Sequence, residues 1–495
     1  MKHYYLLFFL FFICTTQWAQ DGVLDPSFGE DGIVLTDFDD DYDYVLDVAK
    51  DNNGNYIAIG TAQIDGLDTP VIIKYFANGT IDNSFGNNGY VIQETGSNSA
   101  IKIINENYFL SGRRTISGTS FRSLVAYNLD GTLDTTFGND GMILTNTTND
   151  GNSWIFLESE EIIRVDFETT GENTVAKLYK YSPDGSLDNS YGDNGVVQIP
   201  LPSSGVEFSS VTFRYGHFYF YGDVSNGESG NSAIYKTDID GIADSSFGNQ
   251  GLSFTTNFGS RTNSLDVNSQ GAIVVVSAHG FCEEGTSFST LRRIRANGLL
   301  DTSLGTDGLL NLESDEFLPR NIVIQPNGRY LIFGNTTDCF EQAWYTVKRL
   351  LPSGEIDTSF SNNGTVSGIA ALNGGDFFGS NIKTFDDDTF IILGYDSNFL
   401  DDSDFTLTRY NYNPLTVKEN PLQNLTIYPN PSTGIFNIKS EFLTENTPFQ
   451  ITDISGKVIK TGILETTETT IDLSNATNGL YFLNAGGTSI KLVKQ

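Results

Sequence analysis

The sequence predicts an all-β protein: a seven-bladed β-propeller followed by a small C-terminal β-sandwich. Three observations carry that prediction. A nine-residue phrase, Leu/Ile-Asp-x-Ser/Thr-Phe-Gly-x-x-Gly, recurs seven times. Between its copies, runs of Val, Ile, Tyr and Phe alternate with Asn-Gly and Asp-Gly turns, and no helical period is sustained. Beyond about residue 413 the phrase stops and the charge balance changes.

The phrase begins at Leu24, Ile81, Leu133, Leu187, Ala243, Leu300 and Ile356. Its aspartates are Asp25, Asp82, Asp134, Asp188, Asp244, Asp301 and Asp357, at intervals of 57, 52, 54, 56, 57 and 56 residues. Such a period marks a repeat architecture in which no unit buries its apolar face alone. Each unit reads as four short strands. In the first these are 33–37, 44–50, 56–62 and 70–76, with Asp51-Asn52-Asn53-Gly54 as the central turn. Four-stranded meanders repeated seven times close into a propeller. The seventh unit stops near Tyr412 with no trailing phrase, while an unattached copy opens the repeat region at Leu24. The N-terminal segment is therefore expected to dock after the last blade and seal the ring, which removes exposed strand edges.

Within the phrase each residue type has a physical task. The aspartate suits an Asx turn, accepting backbone N–H groups between blades. The phenylalanine is expected to wedge between neighbouring blades, and the glycines to supply positive φ. Leu304 replaces the aromatic in the sixth copy, and Ser361 replaces the first glycine in the seventh.

The chain has 495 residues, with 62 acidic against 28 basic side chains and a formal charge of -34. Residues 415–495 hold six lysines and seven carboxylates, so nearly all the excess lies before them. A strongly acidic surface keeps an exported protein soluble and repels nucleic acid and anionic lipid. Residues 1–20 read as a signal peptide, with Lys2 before an apolar run from Tyr4 to Cys14. That run is too short to span a bilayer, and no later stretch approaches the roughly 20 apolar residues a transmembrane helix needs. Cys282 and Cys339 lie 57 residues apart, one repeat, in equivalent loops of adjacent units. Export permits a disulfide between them, and one is expected.

Catalytic apparatus is sparse. Only His217 and His279 follow the leader, and no nucleophile elbow, zinc-binding helix motif or phosphate loop occurs. No catalytic residue and no cofactor is assigned. The densest acidic run, residues 37–43, offers Asp37, Asp39, Asp41 and Asp43 as calcium ligands. It lacks the glycine and terminal glutamate of a full calcium loop, and solvated loop charge is the alternative reading.

The phrase, with a preceding basic-aromatic pair such as Lys74-Tyr75 and Lys180-Tyr181, resembles the delta-60 repeat family of bacterial propeller-like proteins over residues 21–413. That resemblance implies a fold and no activity. A polar, proline-punctuated linker follows at 414–422, and residues 423–495 read as the sandwich. There Tyr428-Pro429-Asn430-Pro431, Asp453-Ile454-Ser455-Gly456-Lys457, Asn478-Gly479-Leu480-Tyr481 and the terminal Lys491-Leu492-Val493-Lys494 resemble the type A C-terminal sorting domain of the type IX secretion system. The resemblance implies recognition by the outer-membrane machinery, removal of the tail, and release or attachment to surface lipopolysaccharide. The expected role is a non-catalytic binding or scaffold module at the cell surface or outside the cell, with a carbohydrate or surface protein as ligand. An extracellular polysaccharide hydrolase or lyase acting through carboxylates is the first alternative, and a structural surface-layer component the second.

Overall fold

In the computed structural model the chain divides after Tyr412 into two compact units. The structure describes residues 21–412 and 426–495, except for the stretches 39–42, 65–66, 94–95, 146–152, 158, 171–172, 203–205, 225–231, 256–260, 280–287, 313–316, 338–342, 369–375, 399–401, 440–446, 454–456, 465–467 and 486–487.

The first unit holds seven antiparallel sheets among the described residues. Blades 1 to 6 are four-stranded meanders over residues 44–92, 97–145, 153–200, 206–255, 261–311 and 317–367. Blade 7 takes three strands from the end of the repeat region: Asp376–Phe385, Thr389–Asn398 and Asp402–Asn411. Its outer strand comes from the N-terminus: Ile33–Thr36 pairs with Asp402–Asn411, from Ile33 opposite Thr408 to Thr36 opposite Phe405. Val23–Leu24 pairs with the same strand, opposite Asn411 and Tyr410. The ring is thus sealed by the first described residues of the chain.

This pairing shifts the blade boundaries by one strand from the sequence reading. Residues 33–36 do not open blade 1; they complete blade 7, and blade 1 begins at Tyr44. The phrase therefore joins the third strand to the fourth inside each blade rather than linking blades. The reason is hydrogen bonding at both its ends. In blade 1 Asp82 N–H donates to Lys74 O (2.8 Å), and Lys74 N–H donates to Gly89 O (3.2 Å), so the chain never leaves the third strand before turning back along it.

The first strand of six blades carries a β-bulge, between Val45/Asp47, Asn98/Ala100, Phe208/Ser210, Thr262/Ser264, Pro319/Asn321 and Gly379/Asn381. A bulge adds local twist and re-aims side chains. Here it accompanies ties between neighbouring first strands. Asp47 accepts Ile101 N–H (3.0 Å) from blade 2 and pairs with Lys383 (2.8 Å) from blade 7. Asp266 likewise accepts Ile324 N–H (2.9 Å) and pairs with Arg214 (3.2 Å). The apolar core lies between blades: Phe28, Phe405 and Leu407 of blade 7 share one cluster with Val45, Tyr56 and Ile73 of blade 1.

The second unit is a sandwich of two sheets. One contains Thr426–Tyr428, Ile435–Lys439 and Glu468–Asp472. The other orders Val458–Leu464, Thr447–Asp453, Gly479–Ala485 and Thr488–Lys494. Phe436, Ile438, Ile451, Ile471, Tyr481, Leu483 and Leu492 fill the space between them.

Candidate functional site

All seven phrase aspartates adopt one geometry. One carboxylate oxygen accepts both the backbone N–H and the hydroxyl of the Ser or Thr two residues on, as in Asp25–Ser27 (3.0 and 2.7 Å) and Asp357–Ser359 (3.1 and 2.5 Å). Asp82, Asp134, Asp188, Asp244 and Asp301 repeat it. The other oxygen meets a basic residue of the third strand: Arg409–Asp25, Lys74–Asp82, Lys180–Asp188, Lys236–Asp244, Arg293–Asp301 and Arg349–Asp357, at 2.7 to 3.6 Å. In blade 2 that position is Ala126, and Asn107 Nδ2 donates to Asp134 instead (2.8 Å). The basic group also lies over the phrase aromatic, as Arg349 over Phe360 and Arg409 over Phe28, both at 4.5 Å. The seven residues at the aromatic position, Leu304 included, are at most 7% exposed. Each packs toward the following blade; Phe28 meets Tyr56 edge-on and Phe85 meets Tyr108. The phrase is one unit of charge, ring and turn that locks a blade internally and to its neighbour.

At the seal the same chemistry is assembled from both ends of the repeat region. In four other copies (Gly29, Gly86, Gly138 and Gly248) the first glycine of the phrase donates its N–H to a turn in the next blade, as Gly29 does to Asn78 O (2.8 Å). In blade 6 Ser361 takes that place at φ 43° and donates to Asp21 O (2.6 Å). Asp21-Gly22 thus stands where Asn78-Gly79 stands in blade 1. Gly22 shares its positive φ (70° against 84°), and a Cβ there would lie 2.6 Å from the Phe360 ring. The Asp21 carboxylate also pairs with the fully buried Arg349 (2.6 Å), which holds Asp357 at the same time.

Of the acidic candidates, Asp39 and Asp41 lie outside the described residues, as do Cys282 and Cys339. Asp43 is fully buried. It accepts N–H bonds from Phe38 (2.8 Å) and Gln63 (3.1 Å), and its own N–H donates to Ser403 O of blade 7 (2.7 Å). Burial, with Asp37 and Asp404 nearby, outweighs the two N–H bonds and pushes its carboxyl up to about 7. Among the described residues no group of three or more His, Cys, Asp or Glu is placed to hold a metal ion.

Asp43 makes the seal pH-sensitive in a direction opposite to the phrase. Its folded pKa lies above the ordinary 3.8, so the folded state holds a proton that the unfolded chain has released, and stability falls as pH rises from about 4 to 7. Burial also acts on Asp244, but Lys236 and Ser246 outweigh it and bring the carboxyl down to about 2, so its contribution is lost only as pH falls below about 4. The melting midpoint is expected to peak near pH 5 and decline toward pH 8. Asp43→Asn should flatten the neutral limb and leave the acid limb in place; an unchanged neutral limb in calorimetry contradicts the assignment.

In the second unit the sequence motifs separate into two groups. Asn430 Nδ2 donates to Lys491 O, and Asn430 Oδ1 accepts Val493 N–H, both at 2.8 Å. Ser432 exchanges backbone bonds with Val493 and Gln495 (both 2.9 Å), so the chain around Tyr428-Pro429-Asn430-Pro431 covers the outer edge of the last strand. Tyr481 is buried, its hydroxyl donating to Thr477 O (2.6 Å). Asp453 and Lys457 converge instead with Gly479 and Leu480 on a cavity of about 620 Å³.

The first unit is thus a β-propeller whose ring is sealed by its own N-terminal strand, and the second is a separate β-sandwich. Residues 426–495 match the secretion system C-terminal sorting domain, and residues 52–85 match the domain of unknown function (DUF5122) beta-propeller family. The chain is exported by type IX secretion to the cell surface or the extracellular space. Among solved structures, it is similar to PorZ, described as an essential bacterial surface component of the type-IX secretion system of Porphyromonas gingivalis: 13% identity, 93% of this chain and 60% of that one covered, TM-score 0.38. It is also similar to the polysaccharide lyase Uly1 (10% identity, 79% and 96% covered, TM-score 0.45) and to virginiamycin B lyase from Staphylococcus aureus (11%, 76% and 98%, 0.40). The chain spans 60% of the length of the PorZ structure, and none of these likenesses bears on chemistry. No curated protein matches the chain. No helix among the described residues is long and apolar enough to cross a membrane.

Proposed function

We propose that the propeller is a non-catalytic binding or scaffold module, displayed at the cell surface or released, whose ligand is a carbohydrate or a surface protein. The observation that carries this reading is that the one repeated set of charged side chains is consumed internally. Each phrase aspartate is occupied on both oxygens by its own blade. What remains for recognition is the set of connections between strands, which vary in length and sequence from blade to blade. A type IX signal places such a platform where extracellular ligands are met.

The test is binding of the exported protein to a panel of neutral and acidic polysaccharides, with calcium and then with chelator, while reducing ends are assayed. Saturable binding without new reducing ends is the expected result. Binding that disappears with chelator shows that a divalent cation takes part. New reducing ends overturn the reading in favour of a carboxylate-dependent hydrolase or lyase.

A further inference from the structure

The sorting unit has one side that its own fold leaves unfinished. Among the described residues the strand Val458–Leu464 ends its sheet and pairs on one flank only, with Thr447–Asp453. Val458 and Ile459 at its start are 45% and 36% exposed, so apolar side chains face water on both faces of an edge strand. Sheet edges of this kind are normally blunted by charge, proline or cover, because their free N–H and C=O groups template another strand. At the opposite edge of the same sheet, Asn430 and Ser432 provide that cover. The cavity of about 620 Å³ opens beside the uncovered strand, and Leu480, 39% exposed, stands at its rim.

Gly479 is the second, independent observation. It is exposed, its backbone takes no positive φ, and a Cβ placed on it would meet nothing within 4 Å. Nothing among the described residues asks for glycine at this strand position, where glycine is less favourable than alanine. The other glycines described without a positive φ are hemmed in by backbone or side chains; Gly222, for example, would place a Cβ 2.0 Å from Glu207 O, and Gly462 one 2.7 Å from the Phe449 ring. A bare backbone at 479 leaves room for something outside the fold. Lys457 lies on the same cavity, and its ammonium group forms no ion pair among the described residues.

We propose that this side of the sorting unit is its docking surface, and that the occupant is an extended segment of the secretion machinery. The segment adds as a strand to Val458–Leu464, lays an apolar side chain over the cavity mouth beside Ile459, sets a carboxylate against Lys457, and continues past the end of Thr447–Asp453 to cross Gly479 and Leu480, two strands further in. Strand addition satisfies the open backbone groups, and the alternate side chains give specificity. The inference rests on the reading of residues 426–495 as a sorting domain and adds the surface and the chemistry of the partner.

The test uses the full-length chain in a cell that secretes it. Gly479→Ala and Gly479→Leu both fit the free fold, and both are expected to keep or raise its melting temperature. Export should persist for Gly479→Ala. It should fall by roughly tenfold or more for Gly479→Leu, the effect of losing about 1.4 kcal/mol of docking. Lys457→Glu should reduce export in the same way, and it decides the matter if Gly479→Leu fails to fold. Normal export of folded Gly479→Leu and of Lys457→Glu overturns the docking surface. Normal export of a chain lacking residues 426–495 brings down the sorting reading itself, a separate failure.

Discussion

Deleting residues 21–36 is expected to abolish cooperative unfolding of the propeller at its native midpoint. The deletion strips blade 7 of its outer strand and of the phrase that binds Arg409. Phe28, Ile33 and Val34 are 0%, 7% and 6% exposed in the intact ring. Full burial of such side chains stabilises by about 1.5–3 kcal/mol each, so the three together contribute on the order of 5–9 kcal/mol. That is comparable with the whole stability of a typical domain, about 5–15 kcal/mol. Phe28→Ala alone should cost about 3–5 kcal/mol through the cavity it leaves against Tyr56 and Arg409. Calorimetry of the two variants checks both figures, and an unchanged melt for the deletion refutes closure by the N-terminus.

The second large effect is expected at Arg349→Met. Arg349 is completely buried, holds Asp357 in its own blade and Asp21 from the far end of the repeat region, and lies over the Phe360 ring. Removing one partner of a buried pair leaves an uncompensated charge and costs about 3–5 kcal/mol. Arg329, 2.9 Å from Asp357, relieves part of that burden, so the loss should fall at the lower end. Asp21→Ala should destabilise less by itself, and a double-mutant cycle with Arg349→Met should show coupling, since the two share one contact. Lys177→Met breaks an ion pair with the exposed Glu168 and should change stability by no more than about 0.5 kcal/mol. Equal effects at 177 and 349 would show that the seal is no stronger than a surface pair.

The repeat was legible because its chemistry is local. An aspartate that bonds the residue two positions on leaves a fixed spelling in the chain, and seven copies of that spelling give the number of blades. The phase of the blades was not legible. Residues 33–36 read equally well as the first strand of one sheet or the last of another, and only their pairing with Thr408 and Phe405, far along the chain, decides. The first-strand ties have the same character. Asp47 and Asp266 resemble any other strand carboxylate until the bulges beside them turn each toward an N–H of the following blade. In the tail the motif spellings were visible, but their division was not. Asn430 serves the fold by capping an edge, whereas Asp453, Lys457 and Gly479 meet around a cavity that exists only once the two sheets have stacked.

The pairing of residues 33–36 with 405–408 also sets a clock. At synthesis rates of about 5–20 residues per second, the N-terminal strand waits on the order of tens of seconds before its partner has been made. Throughout that interval Ile33, Val34 and Phe28 have no sheet to join, and the nascent ring is a row of blades with two open ends. Contacts so distant in sequence form slowly. The ring therefore closes only after its last blade has been made, whichever blades have folded before then.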